Sequence, residues 1–444
     1  MKRRLFLQAV GYGGAGLTLL GSSTHVRAAQ AAVTPRGSAK NVIFVHLSGA
    51  PSHIDTFDLK LGSWTPDDFG PSSNGNIQLA SGLFPNLIDQ ADKFSLLRCI
   101  SGTEAVHSRA NYVLETAHTF NPTFSKEQPH FGSLLAYELE GRRKSDDIMP
   151  GFLSINGLTQ GQGLLSSRYA PFAFSSEDGV PGLEHPGGQQ MFEKRYQSLL
   201  ALDPNRNTTA SKGSAISDYH GFYDLGQGLM YQPDITAALT VSEEEQARYG
   251  DSQFGNACAL AVKSIAVNRG TRVVQVSHGG WDHHNDIYDR NNNGNLYDRT
   301  AELDPGLAAL LLDLAALPGE EGDSLLDETL VVATGEFGRT PGAITNNLGR
   351  DHYQYAWSGL VAGGGITPGQ NFGATDDEGW GIIDPFWSQN RTITMNDLIA
   401  TIYSSMGVDW TKEIEDTPSG RVFEYTPKYN GEAGYYKDIV EMFR

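Results

Sequence analysis

The chain has 444 residues, a formal net charge of −19 at pH 7 and two cysteines, Cys99 and Cys258. So acidic a chain excludes nucleic acid as an expected partner, because the phosphate backbone would be repelled. Two cysteines cannot build a disulfide framework, although one bridge between them stays open. Beyond the N-terminal segment no apolar run is long enough to cross a bilayer, so we expect no stable membrane span.

The N-terminal segment has the charge pattern of an export signal. The string KRRLFLQ, residues 2–8, matches the twin-arginine pattern and precedes a weakly apolar stretch over residues 9–21. Small residues around Arg27 predict cleavage after Ala28, which gives a signal peptide over residues 1–28 and a linker over 29–40. We therefore expect a periplasmic or secreted protein that meets the twin-arginine translocase during export. A frayed amphipathic N-terminus is the alternative interpretation.

Three short apolar runs share one pattern. Residues 41–47, 272–277 and 329–334 are rich in β-branched side chains, and each run ends in a loop that contains glycine. Such runs are typical of buried parallel strands, whose carboxyl-terminal loops carry ligands. The pattern predicts three strands that deliver three loops to one edge of a sheet.

Helix-like segments lie between these runs, at residues 254–267 and 304–317, where apolar residues recur at helical spacing. Strands alternating with helices predict an α/β fold, a doubly wound and mostly parallel sheet with helices on both faces. Residues 151–228 lack clear periodicity and are predicted to form long ordered loops that cover the site or cap a sheet edge. We expect residues 41–444 to form a single domain.

The predicted strand-end loops carry acids and imidazoles. Asp282 and His284 follow the second strand, and Asp351 and His352 form another acid and imidazole pair further along the chain. Imidazole and carboxylate together suit zinc, manganese or iron. Each pair alone is more typical of a solvated turn. Because the loops are predicted to share one sheet edge, the sequence favours a metal site there.

The loop after the third strand holds Glu336 and Arg339. A carboxylate there could bind metal or act as a base, and a guanidinium could hold a tetrahedral oxyanion through two hydrogen bonds. The alternative for Arg339 is an ion pair with a surface acid.

Five strings, taken in order, resemble the signatures of one bacterial family. They are PSHIDTFD (51–58), GGWDHH (279–284), GEFGRTP (335–341), GRDH (349–352) and AGGGI followed by GATD (362–376). The family is the domain-of-unknown-function family numbered 1501, a twin-arginine-exported group placed with the alkaline phosphatase and sulfatase superfamily, and the resemblance runs from about residue 41 to 408. It implies an alkaline-phosphatase-like fold and a metal-dependent hydrolase of phosphate, sulfate or related esters.

Carried over residue by residue, the resemblance implies that Asp282, His284 and His352 bind one metal ion. Glu336 stands where superfamily hydrolases have the Asp of an Asp-His-Gly motif for a second metal, but Phe337 replaces the histidine. This departure argues against a complete second site.

The first strand also departs from the superfamily, because no aspartate directly follows it. Asp55, with His53 as a further candidate, is expected to reach back and serve as the ligand instead. Conventional formylglycine sulfatase activity is not expected, since the residues after Cys99 lack the required pattern.

The nucleophile is expected near the start of a helix between residues 101 and 109. Thr103 and Ser108 are the candidate hydroxyls, with His107 as a base or ligand. A hydroxyl at such a position is also typical of a helix N-cap, and a water molecule could replace the side-chain nucleophile.

Residues 289–298 resemble the beginning of a calcium-binding loop. Its candidate oxygen ligands are Asp289, Asn291, Asn293, Asn295 and Asp298. Thr300 stands at the twelfth place, where such loops have a bidentate glutamate, so the alternative is a turn rich in asparagine and glycine.

Two functions therefore follow from the sequence. The first is a metal-dependent hydrolase of anionic esters. The second is a catalytically inactive relative that binds a sulfated or phosphorylated polymer, or that serves in an envelope assembly.

Overall fold

The computed structural model describes residues 33–157, 160–202, 214–389, 391–429 and 434–444. Residues 35–444 form one compact unit. The expected signal peptide, residues 1–28, and the first part of the linker lie outside the described residues. None of the described helices is both long and apolar enough to cross a membrane.

The described residues form seventeen strands, several of them only two residues long. The strands are β1 Asn41–Leu47, β2 Pro71–Asn74, β3 Ile77–Ala80, β4 Phe94–Ser101, β5 Phe152–Ile155, β6 Phe172–Phe174, β7 Val273–His278, β8 Thr329–Thr334, β9 Gly338–Arg339, β10 His352–Tyr353, β11 Trp357–Ala362, β12 Asn371–Phe372, β13 Ala374–Thr375, β14 Ile382–Asp384, β15 Ile393–Thr394, β16 Glu413–Ile414 and β17 Phe423–Glu424.

Nine α-helices occur in the same described part of the chain. They are α1 His107–Thr116, α2 Phe131–Glu138, α3 Gly188–Leu202, α4 Ser214–Leu229, α5 Pro233–Ala238, α6 Glu243–Tyr249, α7 Gln253–Ala266, α8 Leu296–Ala316 and α9 Met395–Ser405.

A nine-stranded sheet forms the centre of the molecule, in the order β12-β4-β11-β8-β1-β7-β5-β6, with β15 also paired to β4. Strand β1 is parallel to both β7 and β8. Strand β11 is antiparallel to both β8 and β4, so β4 runs in the same direction as β1. The carboxyl ends of β4, β8, β1 and β7 therefore lie at one edge, as the sequence predicted for three of them.

Helices cover both faces of the sheet, which confirms the predicted α/β class. Side chains alternate along β1, so Ile43 and Val45 join the apolar cluster built with α7 and α8. Phe44 points to the other face, where its ring lies 5.3 Å from that of Phe131 in α2.

The sequence placed the three main strands to within one residue. It placed the beginning of α8 eight residues too late, because Asn295 caps the helix by accepting a hydrogen bond from the amide of Asp298. Both cysteines are buried and free, so the possible bridge does not form.

The prediction that residues 151–228 form long loops was wrong. Strands β5 and β6 lie in this segment, and helices α3 and α4 follow them. Helix α3 buries Tyr196 but leaves Leu199 and Leu202 exposed. An apolar stripe that is only partly buried gives a weak periodic signal, which explains why the helix was missed.

Candidate metal centre

The candidate site forms where four parallel strands end. His107 begins α1, a few residues after β4, and Glu336 follows β8. Asp282 and His284 lie in the turn after β7. His352 begins β10, which pairs with β9 as a short antiparallel hairpin.

Two glycines allow these loops to approach one another. Gly49, after β1, has a φ of +102°, and a Cβ there would lie 2.8 Å from the backbone nitrogens of Trp281 and Asp282. A Cβ on Gly349 would lie 2.1 Å from the carbonyl carbon of His284. Side chains at these positions would push the loops apart, because such distances are well inside van der Waals contact.

Four side chains bring ligand atoms together around Oδ1 of Asp282. The Nε2 atoms of three histidines lie close to this oxygen: His107 at 3.2 Å, His284 at 3.0 Å and His352 at 3.4 Å. The Nε2 atoms of His284 and His352 are themselves 2.9 Å apart. Three of these residues, His107, Asp282 and His352, offer ligand atoms that all lie within 4.8 Å of one another.

The other ring nitrogen of each histidine faces a hydrogen-bond acceptor. Nδ1 of His107 lies 2.6 Å from Oε1 of Glu336, and Nδ1 of His284 lies 2.9 Å from Oδ1 of Asp351. Nδ1 of His352 lies 2.7 Å from the carbonyl oxygen of Ala105. Because these oxygens only accept, each Nδ1 is assigned the proton of a neutral ring.

This tautomer leaves three Nε2 lone pairs directed at one small space beside a carboxylate, and that of His284 also accepts a long hydrogen bond, 3.4 Å, from Nη1 of Arg339. Lone pairs at such distances repel each other unless a cation or an extra proton lies between them. Nε2 of His107 and Oε2 of Glu336 are buried, and neither has a hydrogen-bond partner in the described part of the chain. Metal-binding histidines usually donate their second N–H to a carboxylate or carbonyl, so the residues present fit a transition metal ion.

The electrostatics of the site favour positive charge. Burial alone would raise the pKa of Asp282, but Arg339 and His107 hold the pKa of this carboxyl well below its usual range. Burial would also raise the pKa of Glu336, yet the hydrogen bond from His107 and the nearby imidazole of His46 lower it to about 2. The pKa of His107 is raised, chiefly because Glu336 accepts its hydrogen bond. Both carboxyls are therefore anionic at neutral pH.

The guanidinium of Arg339 contacts groups of the protein itself, and its role in holding an anionic substrate stays a prediction. Its side chain is only 1% exposed. Nε donates to the carbonyl of Ala50 at 2.9 Å, Nη1 donates to that of Arg350 at 3.1 Å, and Nη2 donates to Gly49 and Asp282. With its donors committed to the protein, this guanidinium positions Asp282 and the loop after β1.

Asp55 and His53 also lie outside the cluster, contrary to the expectation that they reach back to it. Asp55 forms a buried ion pair with Arg350, with 2.8 Å between Oδ2 and Nε. His53 is buried, and its Nε2 lies 3.0 Å from the carbonyl of Gly379. Both side chains are engaged by groups outside the cluster, Asp55 by Arg350 and His53 by the carbonyl of Gly379, and they hold neighbouring loops instead.

Neither candidate hydroxyl caps helix α1. The N-cap position is Val106, which makes no side-chain cap hydrogen bond. Thr103 and Ser108 are exposed. Thr103 lines a cleft of about 200 Å³ together with Glu336.

Phe337 stands at the sequence position where superfamily hydrolases have the histidine of the Asp-His-Gly motif for a second metal. Its ring centroid lies 4.8 Å from that of His107 and 4.7 Å from that of His352. The side chain is fully buried. It thus forms an apolar wall against two of the imidazoles.

The candidate calcium loop is a turn followed by a helix cap. Oδ1 of Asp289 accepts hydrogen bonds from the amide and side chain of Asn291, and Asp298 accepts one from the amide of Gly294. Thr300 is buried within α8 and donates to the carbonyl of Leu296. These contacts are those of the alternative, a turn rich in asparagine and glycine, and calcium binding by Asp289, Asn291, Asn293, Asn295 and Asp298 stays a prediction.

His46 is a site residue that the sequence interpretation missed. It is buried at the end of β1, with Nε2 3.1 Å from Oδ1 of Asn111 and 3.7 Å from Oε2 of Glu336. Burial lowers the pKa of His46, but Glu336 more than compensates and raises it. The sequence contains a feature that could have identified His46, because a histidine near the end of a predicted apolar, buried strand is unusual.

The solved structures similar to this chain include a protein in the alkaline phosphatase superfamily from Vibrio parahaemolyticus, at 11% identity and a TM-score of 0.40, covering 85% of this chain and 69% of that one. The lipoteichoic acid synthase LtaP from Listeria monocytogenes is similar at 9% identity and a TM-score of 0.35, covering 85% and 76%. A phosphonate monoester hydrolase from Silicibacter pomeroyi is similar at 11% identity and a TM-score of 0.36, covering 83% and 73%. Similarities this weak carry no functional argument.

No curated protein matches the chain. A family described as "Protein of unknown function (DUF1501)" matches residues 39–432, which is most of the sequence and includes all the residues of the candidate metal centre. The chain belongs to this family.

Proposed function

We propose that the protein binds one divalent transition metal ion and hydrolyses phosphate, sulfate or related esters. One observation carries the proposal: three Nε2 lone pairs and one carboxylate oxygen meet at a point, while each imidazole donates its other N–H away from that point. A set of three imidazoles and one carboxylate suits zinc, manganese or iron.

His107, Asp282, His284 and His352 would hold the ion. When bound, a divalent metal supplies Lewis-acid chemistry that stabilises charge on an ester oxygen. Glu336 orients His107 through Nδ1, and Asp351 does the same for His284. Arg339 holds Asp282. These contacts fix the four ligands before substrate arrives, so less free energy is spent on ordering them.

The site is open on one side and closed on the other. Side chains of Asp282, His284 and Asp351 are partly exposed, whereas Glu336 is fully buried. A substrate would therefore approach from the side of the turn after β7. Thr103 and Glu336 line a cleft that none of the four ligands lines, so this cleft does not decide between Thr103 and Ser108 as the nucleophile.

Export is part of the proposal. The arginine pair at Arg3 and Arg4 supports passage through the twin-arginine route, which moves folded proteins. A protein folded before export would take its metal in the cytoplasm and act in the periplasm or outside the cell. Replacing both arginines by lysine should leave the protein in the cytoplasmic fraction, as measured by cell fractionation.

The test is a metal analysis of the exported protein by plasma mass spectrometry, combined with turnover of p-nitrophenyl phosphate and p-nitrophenyl sulfate. We expect about one zinc, manganese or iron ion per chain, as for a single site of this ligand set. Asp282→Ala and His352→Ala should lose the metal and the turnover together. His185→Ala is the control, because it removes a half-buried imidazole that bonds Arg195 and lies outside the cluster. Wild-type protein that binds none of these metals, as purified or after their addition, would overturn the proposal.

A second candidate is a protein that binds anionic polymers without turnover. It is favoured by Phe337, which replaces a superfamily histidine and forms an apolar wall against two of the imidazoles. The same experiment separates the two, because this candidate predicts no turnover of either ester, with or without bound metal.

A further inference from the structure

Three aromatic side chains form an exposed shelf beside the hairpin that carries His352. Tyr353 is its centre, with its ring centroid 5.4 Å from that of Tyr355 and 5.4 Å from that of Trp380, both in edge contact. Trp380 is 42% exposed and Tyr355 is 63% exposed. Single exposed aromatic side chains are common, but several in contact on one exposed surface are typical of binding sites.

The loop that presents Trp380 is rigidly built around one carboxylate. Asp376 accepts hydrogen bonds from the amides of Glu378, Gly379, Trp380 and Gly381, at distances from 2.7 to 3.2 Å. The indole Nε1 donates to Oε2 of Glu378 at 3.1 Å. The indole is therefore held in place before any ligand arrives, which lowers the entropy lost on binding.

The loop of residues 376–381 also contacts Tyr353 and the buried His53. Tyr353 donates its hydroxyl to the carbonyl of Trp380 at 2.5 Å. Buried His53 bonds the carbonyl of Gly379, and its ring lies parallel to that of Tyr353 at 6.4 Å. The two segments that form the shelf, residues 353–355 and 376–381, are thus fixed to each other as well as to the core.

We propose that this shelf binds a neutral sugar ring. The face of an aromatic ring is negative, so it attracts the weakly positive C–H groups on one face of a pyranose. Exposed acids lie in the two segments of the shelf or next to them: Asp377 and Glu378 precede Trp380 in its loop, and Asp351 stands two residues before Tyr353. Carboxylates accept hydrogen bonds from sugar hydroxyls but repel sulfate and phosphate groups, so the ring on the shelf is uncharged.

Binding at the shelf needs neither metal nor hydrolysis, and the inference stands apart from the proposed function. Successive residues of a strand point to opposite sides, so Tyr353 lies across the hairpin from the ligand His352. A sugar polymer that passes over this hairpin would rest an unmodified ring on the shelf. If both proposals hold, the ester belongs to a neighbouring unit of the same polymer.

The first experiment is a glycan array with neutral and sulfated oligosaccharides. The best neutral ligand is then titrated and its binding is measured by tryptophan fluorescence and calorimetry. p-Nitrophenol is titrated in the same way, to test whether the shelf binds an aromatic ring instead of a sugar. We expect a neutral oligosaccharide to bind. Trp380→Ala should weaken it at least about tenfold, as removal of a central aromatic contact does at other binding surfaces. Trp380→Phe, which keeps a ring, should bind more tightly than Trp380→Ala.

Tyr137→Ala is the matched control, because Tyr137 is also 42% exposed but contacts Tyr169 instead of the shelf. It should leave binding unchanged. Thermal unfolding and metal content, measured for every variant, show whether each one is folded and whether the metal centre is intact. Binding of only sulfated glycans, of only p-nitrophenol, or of neutral glycans with equal affinity in Trp380→Ala would overturn the inference. None of these results would contradict the proposed metal site, which is tested separately by metal content.

Discussion

Arg350 and Asp55 form a buried ion pair, with 2.8 Å between Nε and Oδ2 and a separation of 295 positions in the chain. Neither side chain is more than 1% exposed. Tyr288 completes the contact, since its hydroxyl donates to Oδ1 of Asp55 and accepts from Nη2 of Arg350. The pair therefore joins the loop after β1 to the segment that leads into His352.

Asp55→Ala should lower the free energy of unfolding by about 3–5 kcal/mol, because it leaves a buried guanidinium without its counter-charge. Urea unfolding measures this loss. Asp68→Ala is the control, since its ion pair with Arg290 is exposed and such pairs contribute about 0–1 kcal/mol. Equal midpoints for the two variants would contradict a structural role for Asp55.

A second substitution of Asp55 tests the finding that this residue is not a metal ligand. Asp55→Asn keeps the size of the side chain and should keep the full metal content, because Asp55 faces Arg350 and Tyr288. Metal content after dialysis decides the point. Loss of metal in a folded Asp55→Asn variant would restore the expectation that Asp55 is a ligand.

The sequence predicted the parts of this architecture that depend on local pattern. Continuous apolar runs placed β1, β7 and β8, and parallel strands force their carboxyl-terminal loops to one edge. Asp282, His284 and His352 were therefore expected together, and the structure brings their ligand atoms within 3.4 Å of one another.

The partners of charged residues could not be predicted in this way. Arg339 and Asp55 each have a role set by groups far away in the chain, such as Asp282 and Arg350, and no spacing rule encodes that choice. The role of Ala105 is still less visible, since it contributes only a backbone carbonyl. Helix α3 was missed for another reason, because its apolar stripe is only partly covered.

Glu336→Gln should weaken metal binding roughly 10- to 100-fold, the usual effect of changing a partner behind a metal-binding histidine. The amide can still accept from Nδ1 of His107, but it removes a buried negative charge from beside the ligands. Competition with a chromogenic chelator measures the affinity. Glu378→Gln changes an exposed acid outside the cluster and should leave it unchanged.

Arg339→Lys should reduce metal affinity without a separate effect on substrate binding. Lysine cannot reproduce the fork that contacts Asp282 and three backbone carbonyls, so Asp282 becomes less well fixed. With metal in excess, KM for p-nitrophenyl phosphate should match that of the wild type while kcat falls. A rise in KM without a fall in kcat would indicate that Arg339 binds the anionic substrate, as the sequence predicted.

The pH dependence of stability should include a contribution from two buried imidazoles that do not belong to the candidate metal centre. Burial lowers the pKa of His130 to about 3 and that of His118 to about 4, from an ordinary value of 6.5. The folded protein therefore keeps both rings neutral while the unfolded chain takes up protons. Stability from this source is complete above pH 6.5 and is lost as the pH falls towards 3.

His130→Asn should flatten this dependence. Nδ1 of His130 caps α2 by accepting from the amide of Gly132, and asparagine is a good N-cap that does not titrate. Between pH 6 and 4 the slope of the free energy of unfolding should fall by about 1.4 kcal/mol per pH unit, the effect of one proton fewer taken up on unfolding. Urea unfolding at a series of pH values measures the slope, with His185→Asn as the control. Parallel curves for His130→Asn and the wild type would show that His130 does not titrate on unfolding in this range.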